Sequence, residues 1–136
     1  MLTGLALANP APKPKPVSRY MRDAGILYLE TIEKLDFGCD CMSSWESEIS
    51  SLEDRIDIAL NDKAQHRSAG DAPYWDLLKS VKYARRLYIT IDPPQRKAWS
   101  HAYITCEAHA HTIALEGEYF NGDGGCGDAI SSATHQ

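Results

Sequence analysis

The chain has no apolar run approaching the roughly 20 residues that a bilayer-spanning helix needs, so no membrane span is read from it. It also lacks an excess of positive charge. Fourteen Lys and Arg stand against 19 Asp and Glu, a net charge of −5 that repels a phosphate backbone and excludes general nucleic-acid affinity. Inward Glu-x-x-His pairs of di-iron bundles are absent, and so is the Cys-x-x-Cys-His attachment of covalent haem. No nucleophile elbow or phosphate loop orders the serines, histidines and carboxylates, which points away from an enzyme. The glycine-rich run after Tyr119 fails as a calcium loop. Asn121 and Asp123 hold the first and third positions, but Gly125 and Cys126 occupy the fifth and sixth, and no glutamate closes the loop at the twelfth.

What is present is ordinary globular material: 136 residues, 43% hydrophobic and 24% charged, enough for one domain with its own core. Residues 1–17 form an apolar and Pro-Lys-rich leading segment. Leu2 to Ala8 is short and apolar, with small residues at Ala6 and Ala8, and reads as the end of an export signal cleaved before Asn9. From Asn9 to Pro16 the alternating prolines favour an extended tether outside the core.

Residues 18–120 carry apolar residues at helical spacing in four segments. Ser18 opens the first, with Met21, Gly25, Tyr28, Ile32 and Leu35 inward, Ile26 and Leu29 broadening that face, and Gly38 as the stop. Ser43 to Glu46 reads as a capping box for the second, in which Trp45, Ile49, Leu52, Ile56 and Ala59 or Leu60 form a seam. The outer face of that segment is acidic: Glu46, Glu48, Glu53, Asp54, Asp57 and Asp62. Asn61 to Asp71 is polar and reads as a loop. Pro73 starts the third segment, with Tyr74, Leu77 or Leu78, Val81, Ala84, Tyr88 and Ile91 inward and Lys79, Lys82, Arg85 and Arg86 on a basic outer face. The acidic second and basic third helices attract one another as neighbours, though exposed pairs contribute only about 0–1 kcal/mol each. The fourth runs from Asp92 to Tyr119, where Asp92-Pro-Pro-Gln95 marks its start. Trp99, Tyr103, Cys106, Ala110, Ile113 and Gly117 form one stripe, and Ile104, Ala108, His111 and Leu115 a second beside it, so burial on two sides is expected. Residues 121–136 read as a glycine-rich flexible tail tied down by Cys126.

The expected fold is therefore all-α, a four-helix antiparallel bundle or two packed helical hairpins, with an extended proline-rich N-terminal arm and a glycine-rich C-terminal tail. Four cysteines, Cys39, Cys41, Cys106 and Cys126, fit a disulfide-bonded protein of the periplasm or the secreted space, the alternative being four free thiols in the cytoplasm. Three pairings exist. Cys39 with Cys41 is the least comfortable, since one intervening residue leaves little room for relaxed geometry, so each is expected to reach a different distant partner.

Two functional readings follow. In the first, a small exported helical module acts by binding another protein or copies of itself, through a contact surface at Trp75, Tyr83, Lys79, Lys82 and Arg86. No cofactor is expected under that reading. In the second, Cys106, His109 and His111 form a metal site for zinc or copper, ions that accept nitrogen and sulfur ligands. Spacing argues against the full set: His109 and His111, two apart, point in nearly opposite directions on a helix.

Overall fold

A computed structural model describes residues 13–62, 67–120 and 122–136. The apolar Leu2–Ala8 segment and the start of the proline-rich run lie outside the described residues. Among the described residues, five helices pack into an all-α bundle: α1 (Arg19–Glu33), α2 (Met42–Asn61), α3 (Asp71–Thr90), α4 (Pro93–Glu116) and α5 (Cys126–Thr134). Two short strands, β1 (Lys15–Pro16) and β2 (Glu118–Tyr119), pair antiparallel, with Lys15 opposite Tyr119 and Pro16 opposite Glu118.

The inward stripes do the organising. Met21, Tyr28, Leu29 and Ile32 of α1, Tyr74, Leu78 and Val81 of α3, and Ala102, Cys106 and Ile113 of α4 are fully or almost fully buried in one continuous core. α4 packs most extensively on α3, and also against α5 and α1; α1 in turn bridges α3 and α2. Close approach of α1 to α3 depends on Gly25, since a Cβ there would fall 2.7 Å from Cε2 of Tyr74. Such an approach is tighter than van der Waals contact permits.

Polar groups tie the helix ends. Ser18 accepts from the Met21 amide at 3.2 Å as the cap of α1, and its own amide and hydroxyl both donate to Asp71, at 2.7 Å each. Asp71 is buried at the start of α3, so these donors offset the cost of removing its carboxylate from water. Arg22 donates from Nε and Nη2 to the Ala114 carbonyl at 3.1 and 2.9 Å, satisfying an orphan acceptor at the end of α4. Arg85 does the same for the Leu35 carbonyl beyond α1, at 2.9 and 2.6 Å. Gly117 closes α4 in the left-handed region, at φ 74°.

Several expectations are corrected. The Ser43–Glu46 capping box does not form, because α2 begins at Met42 with Cys41 at its N-cap position and no side-chain cap bond. Asp92 caps α4 by position, with prolines in the first turn, yet its side chain makes no cap bond. Of the two stripes expected to be buried on α4, the second faces solvent: Ile104 is 57% and Leu115 82% exposed, and Ala108 and His111 are exposed as well. The stripe through Trp99, Tyr103, Cys106 and Ile113 already meets α3, α1 and α5, leaving no helix to cover the other. Ile26 is likewise 43% exposed.

The residues beyond 121 are not a flexible tail throughout. α5 buries Cys126, Ala129 and Ala133, a three-and-four spacing on one face, and its entry is ordered by Asp123, whose carboxylate accepts from the Gly125 and Gly127 amides at 3.1 and 2.8 Å. The described part of the proline-rich arm is likewise docked: beyond the β1–β2 pair, the Gly70 amide donates to Pro16 at 2.8 Å and the Val17 amide to Gly117 at 2.9 Å.

Candidate functional site

The cysteines pair within their own neighbourhoods. Cys106 on α4 is bridged to Cys126 at the start of α5, twenty positions on. Cys39 is joined to Cys41 in the loop between α1 and α2. That pairing overturns the expectation of two distant partners: α4 and α5 close the Cys106–Cys126 bridge between themselves, leaving the loop cysteines only each other. No cysteine is free among the described residues.

The expected Cys106, His109 and His111 set is not brought together. Cys106 is fully buried and consumed by its disulfide. His109 packs edge-on to Tyr119, ring centroids 6.5 Å apart, with its Nε2 buried and without a hydrogen-bond partner. Gly124 lies over that imidazole so closely that a Cβ would come within 2.6 Å of Nδ1, and its φ of 66° also favours glycine. His111 points elsewhere, toward α1.

There it meets two carboxylates. His111 Nε2 lies 3.5 Å from Oε1 of Glu33, in the last turn of α1, and Glu107, one turn earlier on α4, completes a trio whose donor atoms all lie within 4.8 Å of one another. Tyr103 donates its hydroxyl to Oε2 of Glu107. Burial, reinforced by the facing Glu107 carboxylate, raises the Glu33 pKa against the opposing pull of His111. Burial and the same Glu107 carboxylate push the Tyr103 hydroxyl well above its ordinary value, with Arg85 opposing. Sequence reading noted His111 but missed its companions. The signal within reach was Glu107 and His111 at four-residue spacing on one helix face.

Compared with protein-family models, curated proteins and solved structures, the chain matches none.

Part of the basic contact surface expected on α3 is engaged within the molecule, while Lys79, Tyr83 and Arg86 remain exposed. Trp75 is buried, only 3% exposed, and donates its indole N–H to Asp57 of α2 at 2.9 Å. Lys82 pairs with Glu53 at 2.6 Å and Arg86 with Glu46 at 3.2 Å. These bonds realise the expected attraction between the acidic second and basic third helices. Lys79 lies over the Trp75 ring and pairs with Asp76. Of the five residues, only Tyr83 is an exposed aromatic, set edge-on to Trp99.

An apolar cleft lies elsewhere, between α1 and α2. Tyr20, Ala24 and Leu27 form one wall and Leu52 and Ile56 the other, enclosing about 250 Å³, with Asp23 and Arg55 also lining it. Tyr20 and Leu27 are 45% and 46% exposed, although they sit beside the seam of a small domain. Sequence reading took Tyr20 with the mostly core aromatics and passed over Leu27; both lie one step off the inward stripe of α1 and are half-exposed. A step of seven residues from Tyr20 to Leu27 was the available signal. Among the described residues no helix is long and apolar enough to cross a membrane.

Proposed function

We propose that the protein is an exported binding module that self-associates through the α1–α2 cleft. One observation carries the reading: the cleft combines half-exposed Tyr20 and Leu27 with a carboxylate, Asp23, and a guanidinium, Arg55, among its lining residues. In a two-fold interface each patch meets its own copy, so residue i faces j and j faces i. A patch bearing both signs of charge is self-complementary in that arrangement, with Asp23 of each copy set against Arg55 of the other. Burial of the tyrosine and leucine supplies the driving force, and the charges set the register.

Sedimentation equilibrium from micromolar to millimolar concentration tests this. The expected result is a monomer–dimer equilibrium that Leu27→Asp abolishes. Asp23→Arg and Arg55→Asp each weaken it, and the combined exchange restores it. A monomer at every concentration, or a dimer indifferent to Leu27→Asp, overturns the proposal.

Export is the compartment that suits this reading, because disulfides persist in oxidising environments. Mass spectrometry of the naturally produced protein checks it. An N-terminus at Asn9 is expected, and an intact Met1 excludes it. The bridged sulfur of Cys106 and the position of the His109 imidazole beneath Gly124 favour this reading over a zinc or copper site at those two residues.

A further inference from the structure

The geometry points to a divalent transition-metal site at Glu33, Glu107 and His111, built from two helices and distinct from the α1–α2 cleft. Three features converge. The first is donor chemistry: two carboxylates and one imidazole are a mixed oxygen and nitrogen set suited to zinc and its neighbours, whereas magnesium and calcium favour oxygen alone. The second is spacing. Two ligands each about 2.1 Å from a tetrahedral ion stand about 3.4 Å apart, and His111 Nε2 stands 3.5 Å from Glu33 Oε1. The third is proximity: the second carboxylate, Glu107, falls within the same small volume, all donor atoms lying within 4.8 Å of one another.

The backbone fixes this convergence. Glu107 and His111 are four apart on α4 and so share a face. Glu33 arrives from the last turn of α1, which α4 contacts directly. The Tyr103 hydroxyl donates to Oε2 of Glu107, the kind of second-sphere contact that orients metal-bound carboxylates. The charge balance also lacks a cation from the chain. Among the described residues no lysine or arginine forms an ion pair with Glu33 or Glu107, whereas Glu46, Glu48 and Glu53 of α2 are paired with Arg86, Lys34 and Lys82. A divalent ion supplies that missing charge. Three protein ligands leave one position for water or for a ligand from another molecule.

The test is isothermal titration of the untagged, chelator-treated protein with zinc chloride, alongside cobalt chloride followed by visible absorption. One ion per chain is expected, with the intense visible band of four-coordinate cobalt. His111 is half-exposed, so His111→Ala is expected to spare the fold; it should weaken zinc binding by about tenfold or more and remove the cobalt band, as should Glu33→Gln. His101→Ala, on an exposed histidine outside the cluster, should change neither. Leu27→Asp should leave the zinc isotherm intact, so that failure of the cleft and failure of the metal site are separately visible. Binding that survives His111→Ala, binding lost equally in His101→Ala, a magnesium isotherm as tight as the zinc one, or no saturable zinc binding would each overturn the assignment.

Discussion

Helices α4 and α2 each bury an apolar stripe, but in very different surroundings. α4 lies among α3, α1 and α5, is covalently joined to α5 through Cys106, and has its end capped by Arg22. α2 packs chiefly on α1, and its links to α3 are polar: Trp75 to Asp57, Lys82 to Glu53 and Arg86 to Glu46. One helix is enclosed by its neighbours, and the other is laid on from outside. Local opening free energies follow the density of buried contacts, so α2 is expected to be the least protected of the long helices. The proposed cleft lies along its edge, where burial is incomplete.

The largest test of that contrast is Trp45→Ala. Trp45 is the anchor of α2, 2% exposed, with its indole N–H donating to the Thr31 carbonyl at 2.8 Å. Removing a buried tryptophan costs about 3–5 kcal/mol. If α2 is an attached element, native-state hydrogen exchange will show that cost concentrated in residues 42–61, with the amides of α3 and α4 still protected. Uniform loss across all helices would mean that the bundle opens as one unit, and the contrast would collapse.

A second, smaller perturbation addresses the enclosed half. Cys106→Ala with Cys126→Ala opens a bridge across twenty positions, for which chain entropy gives about 3 kcal/mol. Denaturant midpoints should fall accordingly, and amides of α5 should lose protection before those of α4. Equal loss in α2 would show that the bridge stabilises the whole chain rather than its own corner.

The same contrast explains what was legible in the sequence. Helical spacing found the four long helices and most of the core, because Met21, Tyr28, Ile49, Ile56, Leu78 and Ile113 obey a single rule, burial once per turn. The second stripe of α4 misled for the same reason: Ile104 and Leu115 satisfy the spacing, but exposure depends on how many neighbours are available, which one helix cannot reveal. α5 was missed because its glycine-rich approach reads as a breaker, whereas Asp123 turns those glycines into an ordered entry. Trp75 was misplaced because burial reaches it through Asp57 of α2, a partner 18 residues away. The Glu33, Glu107 and His111 cluster needed a contact between α1 and α4 that no local pattern contains.

The finest test separates burial from charge in the attachment of α2. Glu53 accepts both the Tyr28 hydroxyl at 2.7 Å and the Lys82 ammonium at 2.6 Å, and burial together with this carboxylate raises the Tyr28 pKa far beyond its ordinary value. Lys82→Met removes the ion pair yet retains an apolar stem, while Glu53→Gln keeps an acceptor for Tyr28. Because the side chains of the pair are still 27% and 21% exposed, solvent screens them, and a double-mutant cycle should give a coupling of about 1 kcal/mol or less that shrinks in molar salt. Trp45 and Ile56 then carry most of the attachment, and the ion pairs with α3 set orientation. A coupling several times larger and insensitive to salt would reverse that order, making the acidic face of α2 the principal reason it stays bound.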